Sequence, residues 1–91
     1  MQDPVLIIGA SGTIGSAIAH TLSESGNKLI LHGRRETDAL RTLAVALDAR
    51  YYAADLTSDM AAQEFFEVVG QENLHLSGIV FCAARPFPHK L

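Results

Sequence analysis

Apolar residues along this chain fall into two alternating arrangements: short unbroken runs, and longer stretches in which they recur every three or four positions. Val5-Leu-Ile-Ile8, the Leu-Ile-Leu core of Lys28 to His32, and Gly78-Ile-Val-Phe-Cys-Ala83 are runs without polar alternation. Such runs suit strands covered on both faces, as in parallel sheets. Arg50-Tyr-Tyr-Ala-Ala54 adds a short aromatic segment with strand character. Three helical stripes lie between these runs. Ile14, Ala17, Ile18, Thr21 and Leu22 share one face of a helix from Thr13 to Ser25, with Ser16, Ser23 and Glu24 opposite. Ala39, Leu40, Leu43, Ala44 and Leu47 do the same between Glu36 and Ala49. Ala62, Phe65, Phe66 and Val69 mark the buried face of a helix from Asp59 to Gly70. Gly9, Ser25-Gly26-Asn27, Gly33 and Gly70 stand where elements should end.

Strand, helix, strand, helix, strand, helix, strand is the pattern of an α/β chain whose parallel strands are joined by crossover helices. Right-handed crossovers, with a ligand crevice at the reversal of strand order, favour a sheet of order 3-2-1-4. The fold expected is a Rossmann-like three-layer sandwich, half of a doubly wound fold, over residues 1–85. Pro86 and Pro88 make 86–91 an extended tail.

The chemistry concentrates in Gly9-Ala-Ser-Gly12-Thr-Ile-Gly15, between the first strand and the first helix. Three glycines at spacing three serve separable needs in a dinucleotide-binding turn. Gly9 permits the tight turn, Gly12 lets backbone approach a pyrophosphate, and Gly15 allows the helix to pack closely on the strand. Free amides at the helix start then face the phosphates, where the helix dipole favours negative charge. The alternative is a strand-to-helix turn that is merely tight. A Walker-type loop fails on residues, because it requires Lys after its second glycine and no lysine lies between Met1 and Asn27.

With 91 residues the chain holds at most one small domain with a marginal core. A net charge of −3 argues against a nucleic-acid partner, which calls for a basic surface. The lone Cys82 excludes an internal disulfide and a cysteine-cluster metal site. His20, His32, His75 and His89 are too scattered to suggest metal ligands, and read as surface or partly buried histidines. No apolar run approaches the roughly 20 residues of a membrane span, and Met1-Gln-Asp-Pro lacks the basic start of a signal peptide. A cytoplasmic protein is expected.

These landmarks resemble the N-terminal half of a short-chain dehydrogenase/reductase, and the likeness covers nearly all of the chain. The first is the glycine turn, with Gly9, Ser11, Gly12, Thr13, Ile14 and Gly15 as candidate cofactor contacts. Its middle glycine comes one residue earlier than in many members. His32-Gly-Arg-Arg35 follows at the end of the second strand, where such folds choose between cofactors. An acidic residue there signals NAD, whereas arginine accommodates the 2′-phosphate of NADP. Arg34 or Arg35 could make a charge-assisted bidentate contact, so NADP is favoured over NAD. Glu36 weighs against that preference, and both arginines could simply be solvated. Asp55-Leu56 resembles the family's adenine-contacting pair, the reading favoured here, although Asp55 could also cap the next helix. Phe81-Cys82-Ala83-Ala84 occupies the place of the family's Asn-Asn-Ala-Gly segment, where only Ala83 matches. Small residues there would let a cofactor ribose approach the backbone. Cys82 reads as a small buried residue rather than a reactive thiol.

The resemblance implies hydride transfer between NADP(H) and a carbonyl or alcohol substrate. The family's Tyr-x-x-x-Lys pair is missing: Tyr51 and Tyr52 are followed four residues later by Asp55 and Leu56. No catalytic residue is assigned, and the chain is expected to be the cofactor-binding portion of such an oxidoreductase, truncated before its catalytic residues and inactive alone. A non-catalytic NADP-binding module or sensor, and a structural remnant pairing with another chain, remain as alternatives. In the 3-2-1-4 order the fourth strand is an uncharged edge, so a second copy or the missing C-terminal half is an expected partner there.

Overall fold

The computed structural model describes residues 3–72 and 75–82. Its elements are β1 (Val5–Ile8), α1 (Thr13–Glu24), β2 (Leu29–Gly33), α2 (Asp38–Leu47), β3 (Arg50–Ala53), α3 (Asp59–Glu72) and β4 (Gly78–Phe81). The strands form one sheet of order β3-β2-β1-β4. All three pairings are parallel, with Ile8 opposite both His32 and Phe81, and His32 opposite Tyr52. This is the expected Rossmann-like α/β architecture.

Two apolar layers sandwich the sheet because side chains alternate along each strand. Ile7, Leu29 and Leu31 pack with Ala19 of α1 and Leu40, Leu43 and Ala44 of α2 on one face. Leu6, Ile8 and Ile30 pack with Phe65 and Val69 of α3 on the other. The central strands β1 and β2 are therefore buried on both sides, as their unbroken apolar runs predict. Leu6, Ile7, Ile30, Leu31 and Leu40 are fully enclosed. Each such side chain contributes about 1.5–3 kcal/mol of hydrophobic stabilisation relative to exposure. The edge strands are half exposed, and Ile79 and Phe81 of β4 stand uncovered beside the α3 layer.

Three expectations are corrected. In α1 the buried residues are Gly15 and Ala19, with Ile18 and Leu22 packed beside them, while Ile14 is 67% exposed and Ala17 and Thr21 face solvent. The helix is turned so that its smallest residues meet the sheet, since a Cβ at Gly15 would lie 2.1 Å from the carbonyl oxygen of Gly9. In α3, Phe65 and Val69 are buried but Phe66 is 44% exposed, because the layer covers β1 and β2 without reaching over β4. Gly70 does not end α3, which runs on to Glu72. Strand and helix ends otherwise shift by one or two residues. β2 takes in Gly33, β4 ends at Phe81, and α2 begins at Asp38 behind the Thr37 side-chain cap. Gly26 does close α1 at φ +90°, and Asp48 closes α2 in the left-handed region at φ 51°.

Candidate functional site

The turn after β1 is held from two sides. Gly9, at φ +83°, is in a conformation that favours glycine, and a Cβ there would meet the Cys82 carbonyl oxygen at 2.2 Å. The Gly9 and Ala10 amides both donate to the carbonyl of His32, at 3.1 and 2.7 Å, while Cys82 N–H donates to Ile8 at 2.8 Å. Three strand ends thus converge on the glycine turn, at the point where strand order reverses. Gly15 then lies against Gly9 so closely that no side chain fits. The close-packing role read from sequence for Gly15 therefore has a geometric basis. Gly12 is different: as N-cap of α1 it has φ −78° and ψ 172°, which any residue adopts.

The start of α1 suits an anion. Gly12 gives no side-chain cap, and the first turn carries no acidic residue. By contrast, α2 opens with Thr37 Oγ1 accepting the Leu40 amide and Asp38 in its first turn. In α3, Ser58 Oγ accepts from Ala61, and Asp59 lies in the first turn. The amides of an uncapped helix start retain donors for a ligand, and the helix dipole adds partial positive charge. Ser11 and Thr13 are exposed around this turn. A Cβ added at Gly33 would come within 3.4 Å of Ser11 Oγ, so the exit of β2 adjoins the turn directly.

Arg34 and Arg35 follow β2 as exposed residues. Arg34 reaches the Asp55 carboxylate at 3.7 Å. Asp55 also accepts from the Thr57 hydroxyl and amide, and these bonds, more than the neighbouring arginines, hold its carboxyl below the usual range. Asp55 shapes its own loop, while Ser58 supplies the side-chain cap seen at α3. Glu36 is committed elsewhere, accepting from the Tyr51 hydroxyl and from Arg41 at 2.8 and 2.6 Å. Those bonds depress its pKa, the tyrosine contact most. Leu56 packs against the α3-side core.

Cys82 is buried, and burial pushes its thiol pKa up, which disfavours the thiolate. Its backbone, rather than its sulfur, forms the floor under Gly9. Ala83 and Ala84, expected beside the cofactor ribose, and the tail at 86–91 lie outside the described residues. Among the described residues, no cluster of His, Cys, Asp or Glu could hold a metal ion, and no helix is long and apolar enough to cross a membrane.

One residue central to this geometry is given no role by the sequence alone. His32 is only 4% exposed. Its Nδ1 accepts the Gly9 amide at 3.2 Å, so Nε2 carries the proton and donates to the Ala54 carbonyl at 2.7 Å. Burial lowers its pKa, and the bond to Ala54 partly opposes that shift. The only sequence signal is its place at the end of an apolar run.

The fold and turn define a dinucleotide-binding type of α/β chain, and comparison with known proteins gives the family. The family model for short chain dehydrogenase matches residues 3–90. The chain belongs to the short-chain dehydrogenase/reductase family. An uncharacterized oxidoreductase of Bacillus subtilis, YmfI, is 38% identical over 66 residues, covering 70% of this chain and 27% of that protein. A phenolphthiocerol/phthiocerol polyketide synthase polypeptide of Mycobacterium tuberculosis is 36% identical over 83 residues, covering 86% of this chain and 5% of the synthase. This chain thus spans about a quarter or less of those relatives. A metagenomic short-chain oxidoreductase solved in complex with NADP superposes with TM-score 0.76 at 26% identity, over 85% of this chain and 36% of that one. A ketoreductase domain from the bacillaene assembly line shares the fold, with TM-score 0.76 at 22% identity over 88% of this chain and 21% of that one.

Proposed function

We propose that this chain forms the cofactor-binding portion of an NADP(H)-dependent short-chain oxidoreductase of the ketoreductase type. The observation that carries the reading is the uncapped, acid-free start of α1 beside a glycine turn too crowded at Gly9 and Gly15 for side chains. In this reading, amides from Ser11 to Gly15 take the pyrophosphate, and Arg34 or Arg35 takes the 2′-phosphate. Asp55 and Leu56 flank the adenine, and the backbone at Cys82, Ala83 and Ala84 borders the ribose. Glu36 already accepts from Tyr51 and Arg41, so its carboxylate is engaged away from the ribose 2′-hydroxyl that an NAD-selecting acid would bind. The preference for NADP is supported by those arginines and by a relative solved with NADP.

NADPH supplies a hydride to a carbonyl when bound, and the protein's part is to position it. The residues of this chain bind and orient. Tyr51 and Tyr52 are tied by their hydroxyls to Glu36 and Glu72, and neither has a lysine four residues on. Proton transfer to substrate is therefore assigned to residues outside these 91. Calorimetric titration of the chain with NADPH tests the reading, and absence of binding at millimolar cofactor overturns it.

A further inference from the structure

His32 is the one polar side chain buried among the described residues, and both of its ring nitrogens are used. An apolar residue would fill the same space beside Phe65, whose ring centre is 5.0 Å away. Burying a polar group costs free energy unless its hydrogen bonds are made, so histidine gains over leucine only through direction. Here the direction is specific. One nitrogen holds the first glycine of the turn before α1, and the other holds the carbonyl immediately before Asp55. The backbone carbonyl of His32 takes the Gly9 and Ala10 amides as well, so this residue fixes the turn through two acceptors.

We propose that His32 is a positioning residue for the dinucleotide site, its neutral ring clasping the glycine turn to the exit of β3. The clasp sets the spacing between the turn that would take the pyrophosphate and the Asp55 loop that would take the adenosine. It rests on the dinucleotide reading above. Protonation would turn Nδ1 into a donor pointed at the Gly9 N–H, so the clasp requires the neutral ring. Burial favours that form. Around the ring, β1 contributes Ile8 and the turn Gly9, both uncharged. β3 contributes Tyr52, whose hydroxyl bonds Glu72, and leads into Asp55, which is paired with Arg34. α3 contributes Phe65, which follows the exposed Glu64.

Three variants of the full chain test this. His32→Asn keeps an acceptor near the Nδ1 position, His32→Gln keeps a donor near Nε2, and His32→Leu keeps neither. NADP⁺ affinity by calorimetry and the denaturation midpoint are measured for each. The leucine variant should fold yet bind about tenfold or more weakly, and asparagine should restore affinity to within about threefold of the parent, whatever the order of stabilities. A parent that binds no NADP⁺ overturns the site reading. A parent that binds, with a folded leucine variant of equal affinity or an asparagine variant as weak as leucine, overturns the clasp alone. If the leucine variant does not fold, nitrogen NMR of the parent decides. The Gly9 amide must move with the His32 ring titration, and its midpoint must change on adding NADP⁺. A Gly9 resonance that ignores the ring overturns the proposal.

Discussion

The guanidinium of Arg34 lies 3.7 Å from the carboxylate of Asp55, joining the loop after β2 to the loop after β3. Both side chains are close to half exposed. An exposed pair of this kind is screened by water and contributes little, so it tethers Arg34 only weakly. Asp55 is also held by the Thr57 amide and hydroxyl, bonds that do not involve Arg34. The pair therefore holds the arginine beside the Asp55 loop without preventing its transfer to a stronger anion.

NADPH should bind more tightly than NADH. In an Arg34→Ala, Arg35→Ala double variant the difference should vanish through loss of NADPH affinity, by about 1.5–3 kcal/mol for a hydrogen bond to a charged group. Fluorescence titration of both cofactors against both proteins measures it, and equal affinities in the parent contradict the arginine assignment.

Gly12→Val should leave the helix content intact, because the φ and ψ of Gly12 are open to any residue. Dinucleotide binding should be lost, since the new side chain would occupy the pyrophosphate approach. Circular dichroism and calorimetry on the same sample separate the two effects. Undiminished affinity would make the turn purely structural.

Gly15→Ala and Gly70→Ala should move stability in opposite directions. A Cβ at Gly15 collides with backbone at 2.1 Å, and overpacking of this kind costs about 1–3 kcal/mol or more. A Cβ at Gly70 meets nothing within 4 Å, and replacing an exposed helical glycine by alanine stabilises by up to about 1 kcal/mol. Urea denaturation of the two variants gives both signs.

Stability should fall on mild acidification. The folded pKa of His32 is depressed below its ordinary 6.5 by burial. Its contribution is therefore complete above the unfolded value, and is lost as pH drops through the lower folded value. The carboxylates of Asp55 and Glu36, depressed below 3.8 and 4.5 by their bonding partners, act in the same sense only at more acidic pH. Denaturation midpoints between about pH 8 and pH 5 should fall for the parent and less for His32→Asn, the remaining histidines being common to both. Parallel curves would remove His32 as the cause.

The chain should self-associate at micromolar concentration through β4. Ile79 and Phe81 are 49% and 72% exposed on a strand without charge or proline, and an unpaired edge of that kind invites pairing. Ile79→Lys with Phe81→Lys should shift sedimentation towards the monomer. A parent that is monomeric throughout would contradict this expectation.

The sequence by itself determined the alternation of four strands and three helices, the parallel sheet and the position of the glycine turn. These follow from local pattern: unbroken apolar runs suit strands of a parallel sheet, covered on both faces in β1 and β2, and Gly9 and Gly26 adopt positive φ. Tertiary structure decided what periodicity could not. The apolar stripe of α1 is wider than its contact, and the approach of Gly15 to the Gly9 carbonyl selects Gly15 and Ala19 over Ile14. Phe66 reads as core from its spacing, yet the position of α3 over β1 and β2 leaves it partly exposed. His32 is a polar letter at the end of a strand until residues 23 positions before it and 22 after it supply its partners. Its role depends on two long-range hydrogen bonds, and such bonds exist only once the sheet has brought β1, β2 and β3 side by side.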